Sequence, residues 1–139
     1  MNPGYETFEH GADIGVRGIG KTLEEAFINA AKALFSLVVI NLEEVRPERE
    51  VSFEISADTL EDLFVEWLNR LLTEAGMENL VFCQFDCKIE NLNLKGQAKG
   101  EPIDEERHEL GVEVKGATYT MLKVERVNDL WIAQCVVDV

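Results

Sequence analysis

The chain has 139 residues, of which 46% are hydrophobic and 29% charged, and its 27 acidic against 13 basic side chains give a formal net charge of −14. This length and composition exclude a disordered or repetitive protein and predict a single domain, residues 1–139, with its own hydrophobic core. The scattered lysines and arginines argue against direct binding to RNA or DNA, which needs clustered basic residues, so a cation or a basic partner is favoured.

The first half of the chain predicts short strands and the start of a helix. Strands are expected at Tyr5–His10 and Asp13–Ile19, joined by a turn at Gly11. A helix is expected to begin after Thr22, which with Glu25 forms the capping pattern T-x-x-E.

A further strand and a second helix follow. Val51–Ser56 predicts the strand, and Asp58, with Glu61 three residues later, predicts the N-cap of the helix. Leucines, Phe64 and Trp67 recur at helical spacing, and Gly76 is expected to end this helix.

From Leu80 onward the pattern predicts strands. They are expected at Leu80–Glu90, Leu92–Glu101, Glu109–Val127 and Leu130–Val139, with a tight hairpin turn at Asn128-Asp129 between the last two. Two main helices packed on one large, mostly antiparallel sheet form an α+β fold, a two-layer sandwich.

The environment of the chain is also predicted from sequence. No segment is long and apolar enough to span a membrane, and the N-terminus MNPGYETFEH has no export signal, so we expect a soluble, cytoplasmic protein. The thiols of Cys83, Cys87 and Cys135 should then stay reduced and act as small buried hydrophobic groups. Cys83 and Cys87 would lie about 13 Å apart on one strand, too far to share a zinc ion.

The segment Gly15–Thr22, GVRGIGKT, matches the phosphate-loop pattern G-x-x-x-x-G-K-[ST]. It leaves open a small nucleotide-binding enzyme. Against that interpretation, a phosphate-loop enzyme needs a parallel sheet with helical crossovers, and its glycines must curl into a nest of N–H groups. We expect a strand here, with Thr22 as a helix cap rather than a magnesium ligand.

Several blocks in a fixed order resemble the archease family over essentially the whole chain. They are YETFEHGADIGV, a G-x-x-L-E-E-A-F helix start, LFVEWLNRLL, G-x-P-I-D-x-x-x-H, VEVKGATYTMLKV and a W-I-A-x-x-V-V-D-V ending. The chain departs from the family pattern at Gly11, where H-T-A-D is usual, and at Thr120, where His often follows T-Y. Neither departure removes a carboxylate.

The resemblance implies a non-catalytic protein that assists the RtcB-type tRNA-splicing ligase. Archeases promote guanylylation of the ligase histidine with GTP and so allow multiple turnover. A second role carried by the family name is a chaperone-like modulator of a tRNA methyltransferase. The family binds a divalent cation through residues that correspond here to Asp13, Asp138 and Val139.

The residues at the end of the chain agree with this placement. The side chain of Asp138 lies close to the main-chain carboxylate of Val139, so two negative charges are concentrated at one strand end. Hard oxygen donors of this kind suit calcium or magnesium, and no His or Cys pair stands at the spacing of zinc ligands. The plainer interpretation is that Asp13 caps a turn and Asp138 is a solvated terminus.

Three further residues are candidates for partner contact or for supporting the carboxylates. His10 precedes Asp13 by three residues and is expected to orient it or to meet the ligase, although a structural histidine fits equally. Glu113 and Lys115 alternate on the predicted late strand, where the alternative is a surface ion pair. The acidic run Glu101–Glu109 is expected to be an exposed loop, with a docking surface as the alternative.

Overall fold

The computed structural model describes the whole chain, Met1–Val139, as two helices and eight strands. The helices are α1 (Leu23–Val38) and α2 (Leu60–Glu78). The strands are β1 (Gly4–His10), β2 (Asp13–Gly20), β3 (Arg49–Ser56), β4 (Leu80–Glu90), β5 (Asn93–Pro102), β6 (Gly116–Ala117), β7 (Lys123–Val127) and β8 (Leu130–Asp138). The predicted α+β class with two main helices is confirmed.

The strands form two antiparallel sheets rather than one large sheet. The first has the order β1-β2-β8, with β6 and β7 both paired to β8, and the second has the order β3-β5-β4. Helix α1 contacts β2 of the first sheet and β4 of the second, so the core lies between the sheets. The division follows from the helix sequence, because the Ala30 side of α1 meets Gly18 of β2 while Phe35 packs 5.5 Å from the ring of Phe82 in β4.

The predicted start of α1 is confirmed and the predicted ends of α2 are wrong. Thr22 Oγ1 accepts a hydrogen bond from the Glu25 N–H at 3.1 Å. Helix α2 is capped by Thr59 rather than Asp58, because Thr59 Oγ1 accepts from the N–H of Asp62, three residues on, at 3.0 Å. Gly76 lies inside the helix, which ends instead at Asn79 in the left-handed conformation, φ 55°.

The long late strand predicted at Glu109–Val127 is wrong over most of its length. Only Gly116–Ala117 and Lys123–Val127 are strands. The N–H groups of Gly111 and Val112 donate instead to the Val38 and Leu37 carbonyls at 2.9 Å, satisfying groups at the end of α1 that have no partner within the helix. The hairpin turn at Asn128-Asp129 is confirmed, with φ of 50° and 67°.

The three cysteines are free, as predicted. Cys87 and Cys135 are buried, and burial raises the pKa of the Cys135 thiol to about 12 and also raises that of the Cys87 thiol. Burial also raises the pKa of the half-buried Cys83. These thiols are therefore protonated packing groups at neutral pH. Neither helix has the length and apolar content required to cross a lipid bilayer.

The block G-x-P-I-D-x-x-x-H folds into a locked turn around a buried carboxylate. Glu101, which is buried, accepts hydrogen bonds from the Arg107 guanidinium, from the Arg46 N–H at 2.7 Å, and from His108 Nε2 at 3.0 Å. The buried His108 accepts a hydrogen bond from the Asp104 N–H through Nδ1 at 3.0 Å. Its proton is therefore on Nε2, which donates the hydrogen bond to Glu101. The predicted exposed acidic loop is thus anchored at its base, and His108 is a structural residue.

We expect the fold to lose stability in acid because Glu101 becomes protonated. The hydrogen bond from Arg107, aided by those from Arg46 and His108, lowers its pKa from 4.5 to about 2 against the opposing effect of burial. A lowered pKa in the folded state means that this carboxylate stabilises the fold fully above about pH 5 and that the contribution is lost as pH falls toward 2. Glu101→Gln should lower the free energy of unfolding at pH 7 by about 1–3 kcal/mol and flatten its pH dependence between pH 5 and 2.

Urea unfolding at a series of pH values measures this effect. Glu54→Gln, at an exposed position of β3, is the matched control and should leave the pH profile as it is in the native chain. A Glu101→Gln profile that kept the native acid slope would contradict the assignment.

Candidate functional site at one end of the five-stranded sheet

Three of the predicted site residues lie in one lateral row at an end of the first sheet. His10 is paired with Asp13 across β1 and β2, and Ile14 is paired with Val137, which sets Asp13 beside Asp138 across β2 and β8. Residues directly opposite each other in an antiparallel sheet project from the same face, with Cα atoms about 4.5–5.5 Å apart. The row therefore brings the two aspartates together with His10 beside them.

The row lies on the face of the sheet that the helices do not cover. Gly18 of β2 packs on α1, so the alternate residues of that strand, Asp13 among them, point the other way. Arg17 confirms this direction, since its guanidinium lies 4.6 Å from the centre of the Phe8 ring on the outer face. Asp13 is half-buried and Asp138 is exposed, so both carboxylates can be reached from solvent.

Val139 joins the same site through its main chain. Its N–H group donates to Asp13 Oδ1 at 3.4 Å, so the side chain of Asp13 reaches across to the end of β8. The side chain of Val139 packs against the hydrophobic core, which holds the end of the chain next to β8. The three residues that the sequence suggested as metal ligands are therefore neighbours in the fold.

The other two candidate residues, Glu113 and Lys115, lie in a loop rather than in a strand. The Lys115 N–H donates to the Asp138 carbonyl at 2.8 Å, so the backbone of Lys115 borders the site while its side chain is exposed. Glu113 is exposed in the preceding loop. The alternation that we predicted for these two residues on one strand is absent, because β6 begins only at Gly116.

Asn69 and Gly116 were missed by sequence reasoning, although both help to form the site. Gly116 is paired with Asp138, and a Cβ at this position would lie 3.4 Å from Asn69 Oδ1. Asn69 of α2 accepts from the Ala117 N–H through Oδ1 at 2.8 Å and so fixes the two-residue strand β6. Asn69 is one of three polar residues in LFVEWLNRLL, with Glu66 and Arg70, so the pattern alone does not single it out.

Removal of the Asn69 amide should loosen the site. Asn69→Ala leaves the Ala117 N–H without its partner, which should cost about 1–3 kcal/mol of unfolding free energy. The amide proton of Ala117 should then exchange with solvent faster, and this is measurable by hydrogen exchange. Met77→Ala, at an exposed position of the same helix, is the control. Unchanged protection at Ala117 in Asn69→Ala would refute the positioning role.

The segment GVRGIGKT does not form a phosphate loop. Residues 14–20 pair with β1 on one side and β8 on the other, so their N–H groups serve two ladders instead of converging on an anion. A side chain at Gly18 would place its Cβ 2.0 Å from the Ala26 carbonyl oxygen. Gly18 and Gly20 allow α1 to approach the sheet, and the nucleotide-enzyme alternative loses its structural basis.

The donor atoms at the row suit a hard cation. Two aspartate carboxylates and the main-chain carboxyl of Val139 supply oxygen only, which calcium and magnesium prefer and zinc does not. No group of three or more His, Cys, Asp and Glu side chains is arranged so that the side chains alone could hold a metal ion. Main-chain oxygen is therefore required to complete any three-donor set here.

Comparison with protein families gives a match over residues 5–139 to the family described as "Archease protein family (MTH1598/TM1083)". Among curated relatives, "Protein archease" of Pyrococcus furiosus is 44% identical over 140 residues, covering 97% of this chain and 98% of the relative. "Protein archease" of Methanopyrus kandleri is 38% identical and covers 96% of this chain and 98% of the relative.

Solved structures show the same fold. The solution structure of protein 1598 of Methanobacterium thermoautotrophicum superimposes with a TM-score of 0.86 at 34% identity, covering 98% of this chain and 99% of that one. The crystal structure of an "archease, possible chaperone" of Thermotoga maritima has a TM-score of 0.65 at 24% identity, covering 95% and 94%, and is similar in fold alone.

Proposed function

The chain belongs to the archease family, and from this premise we propose that it is a non-catalytic partner of an RtcB-type tRNA-splicing ligase. It promotes guanylylation of the ligase with GTP and thereby allows multiple turnover. The observation that carries the proposal is the convergence of Asp13, Asp138 and Val139 at one solvent-accessible sheet end. No relative named above carries the name of an enzyme.

We propose further that these three residues bind one divalent cation, calcium or magnesium. Asp13 and Asp138 lie opposite each other with like charge, and neither forms an ion pair with a lysine or arginine. A bound cation would remove their repulsion and supply a positive charge at the exposed end of a strongly acidic protein. His10, next to Asp13 in the row, is placed to support that carboxylate from the β1 side.

The site explains how a protein without a catalytic centre could assist a nucleotide-dependent enzyme. Carboxylates on the outer face of a sheet end can enter the mouth of a pocket in a partner, where a cation shared with the partner would hold GTP phosphates. The rest of the chain contributes a rigid support for the aspartates: β2 and β8 are central strands of the first sheet.

A second candidate function is assistance to a tRNA methyltransferase in the manner of a chaperone. The description "possible chaperone" of the Thermotoga maritima protein favours assistance to a partner protein in general. The two candidates differ in the partner that responds, so each purified enzyme can be tested separately.

The deciding experiment is multiple-turnover guanylylation and ligation by the cognate ligase with GTP and metal. The native chain should raise the number of turnovers above one per ligase. A version extended by several residues beyond Val139 should lose this effect, because an amide replaces the main-chain carboxylate. Lys21→Ala should stimulate as the native chain does, since Lys21 is an exposed residue between β2 and α1.

Absence of stimulation by the native chain would contradict the proposal, and the methyltransferase would then be tested as the partner. Full stimulation by the extended chain would exclude the carboxylate of Val139 as a donor while leaving the activator role in place.

A further inference from the structure

The short ladder between the end of α1 and the loop after His108 exposes an unusual amount of apolar surface. We call it the apolar ribbon and define it as residues 37–40 together with residues 109–112. Val39 and Leu110 form an isolated antiparallel bridge, and Ile40 donates its N–H to the Glu109 carbonyl at 2.8 Å. Ile40, Leu110 and Val112 are exposed by 57%, 43% and 39% although each is large and hydrophobic.

The ribbon is held rigidly in this position. Gly111 approaches α1 so closely that a Cβ there would lie 2.1 Å from the Leu37 carbonyl oxygen, and only glycine permits this contact. On the neighbouring side, Asn41 donates to the Arg107 carbonyl at 3.1 Å and accepts from the Glu109 N–H at 2.7 Å. The apolar side chains are thus presented by an ordered backbone and not by a loose loop.

Carboxylates outnumber cations around the ribbon. The exposed acidic residues on its two segments and the adjoining turns are Glu43, Glu44, Asp104, Glu105, Glu106, Glu109 and Glu113. The one basic side chain in residues 37–44 and 104–113 is Arg107, which is bound to Glu101. The charge complement of this surface is a group of lysines and arginines around projecting apolar side chains.

The ribbon borders the carboxylate row. The N–H of Val112 donates to the Leu37 carbonyl at the end of α1, and the N–H of Lys115 donates to the Asp138 carbonyl. The three residue steps from Val112 to Lys115 span at most about 10 Å. A protein seated over Asp13 and Asp138 would therefore also reach the ribbon.

We propose that the apolar ribbon is the docking surface for the ligase, by way of a ligase surface on which apolar side chains are framed by lysines and arginines. The inference rests on the proposed function, since the ligase is the partner it assigns. Apolar contact supplies the binding energy, and the glutamates direct approach and orientation so that the carboxylate row meets the nucleotide pocket.

The test is a direct affinity measurement with the purified ligase. Ile40→Asp with Leu110→Asp should weaken the dissociation constant by about tenfold or more, because both substitutions put charge into a desolvated contact. Met77→Asp is the matched control, because it makes the same kind of change at a methionine that is 70% exposed on α2. Glu109→Lys with Glu113→Lys should slow association at low salt more than at high salt.

The outcomes separate this inference from the proposed function. The ribbon variant should still be stabilised by calcium or magnesium and should recover stimulation of the ligase at high concentration. A native chain that stimulates together with a ribbon variant that binds equally well would overturn the docking surface alone. A native chain that fails to stimulate at all would overturn both. If the native chain self-associates and the ribbon variant does not, while its ligase affinity is unchanged, the ribbon is a contact between two copies of the chain and the inference is overturned.

Discussion

Replacement of Asp13 and Asp138 by asparagine should abolish stabilisation of the chain by calcium or magnesium. The native chain at a metal concentration about 100 times its dissociation constant should gain about 2.7 kcal/mol of unfolding free energy. In the double variant Asp13→Asn with Asp138→Asn, which lacks two of the three donors, the affinity should fall by about 100-fold or more, so that at most about 0.4 kcal/mol of this gain remains. Thermal unfolding with and without metal, and with chelator, measures both quantities.

The asparagines keep the local structure, which makes the result interpretable. An amide oxygen at position 13 can still accept the hydrogen bond from the Val139 N–H, so the strand end should remain in place. In chelator the double variant should be at least as stable as the native chain, because one pair of like charges is removed. Asp129→Asn, in the turn at the opposite end of β8, is the matched control and should retain the full metal effect. Equal metal-dependent stabilisation of the native chain and the double variant would refute the site.

Gly18→Ala should unfold or severely destabilise the protein, by about 3 kcal/mol or more. The added methyl group would lie 2.0 Å from the Ala26 carbonyl oxygen and 2.3 Å from the Ala30 nitrogen, both backbone atoms of α1. Relief requires the helix to move away from β2, which opens the core along that face. Circular dichroism and urea unfolding would detect the change.

Gly76→Ala gives the same substitution with the opposite expected sign. Gly76 lies inside α2 with no atom within 4 Å of an added Cβ, so alanine there should raise the unfolding free energy by about 0.5–1 kcal/mol. A small effect of Gly18→Ala, combined with loss of nucleotide binding, would revive the phosphate-loop interpretation of GVRGIGKT. Destabilisation without any nucleotide binding by the native chain would agree with the packing role.

Elements that depend on local signals were predictable from the sequence. The cap at Thr22, the strand Leu80–Glu90 and the turn at Asn128-Asp129 each depend on residues close in the chain. The predicted end of α2 was wrong because Gly76 and Asn79 are both acceptable residues near a helix terminus, and only the tertiary position of β4 decides between them.

Features that depend on long-range contacts were not predictable by pattern alone. The apolar alternation of Glu109–Val127 favoured one strand, but hydrogen bonds to the end of α1 outcompete it at Gly111 and Val112. For the site, the order of residues suggested Asp13 and Asp138, while their adjacency follows from the pairing of β2 with β8 over more than a hundred residues of chain. Asn69 could not be assigned a role until β6 was located beside α2.

The departure from the family pattern at Gly11 has a local structural explanation. Gly11 has φ of +60° in the two-residue turn between His10 and Asp13, and glycine adopts this conformation without strain. The turn therefore keeps both neighbours in the lateral row. Thr120, the other departure, accepts from the Val136 N–H through its main-chain carbonyl, a bond that its side chain does not determine.

Multiple-turnover guanylylation of the cognate ligase in the presence of the double variant Asp13→Asn with Asp138→Asn tests most directly whether the two carboxylates are functional. We expect this folded variant to leave the ligase at the turnover it reaches alone, whereas Asp129→Asn should stimulate it as the native chain does. Full stimulation by the double variant would contradict the claim that the carboxylates at this sheet end are the functional site.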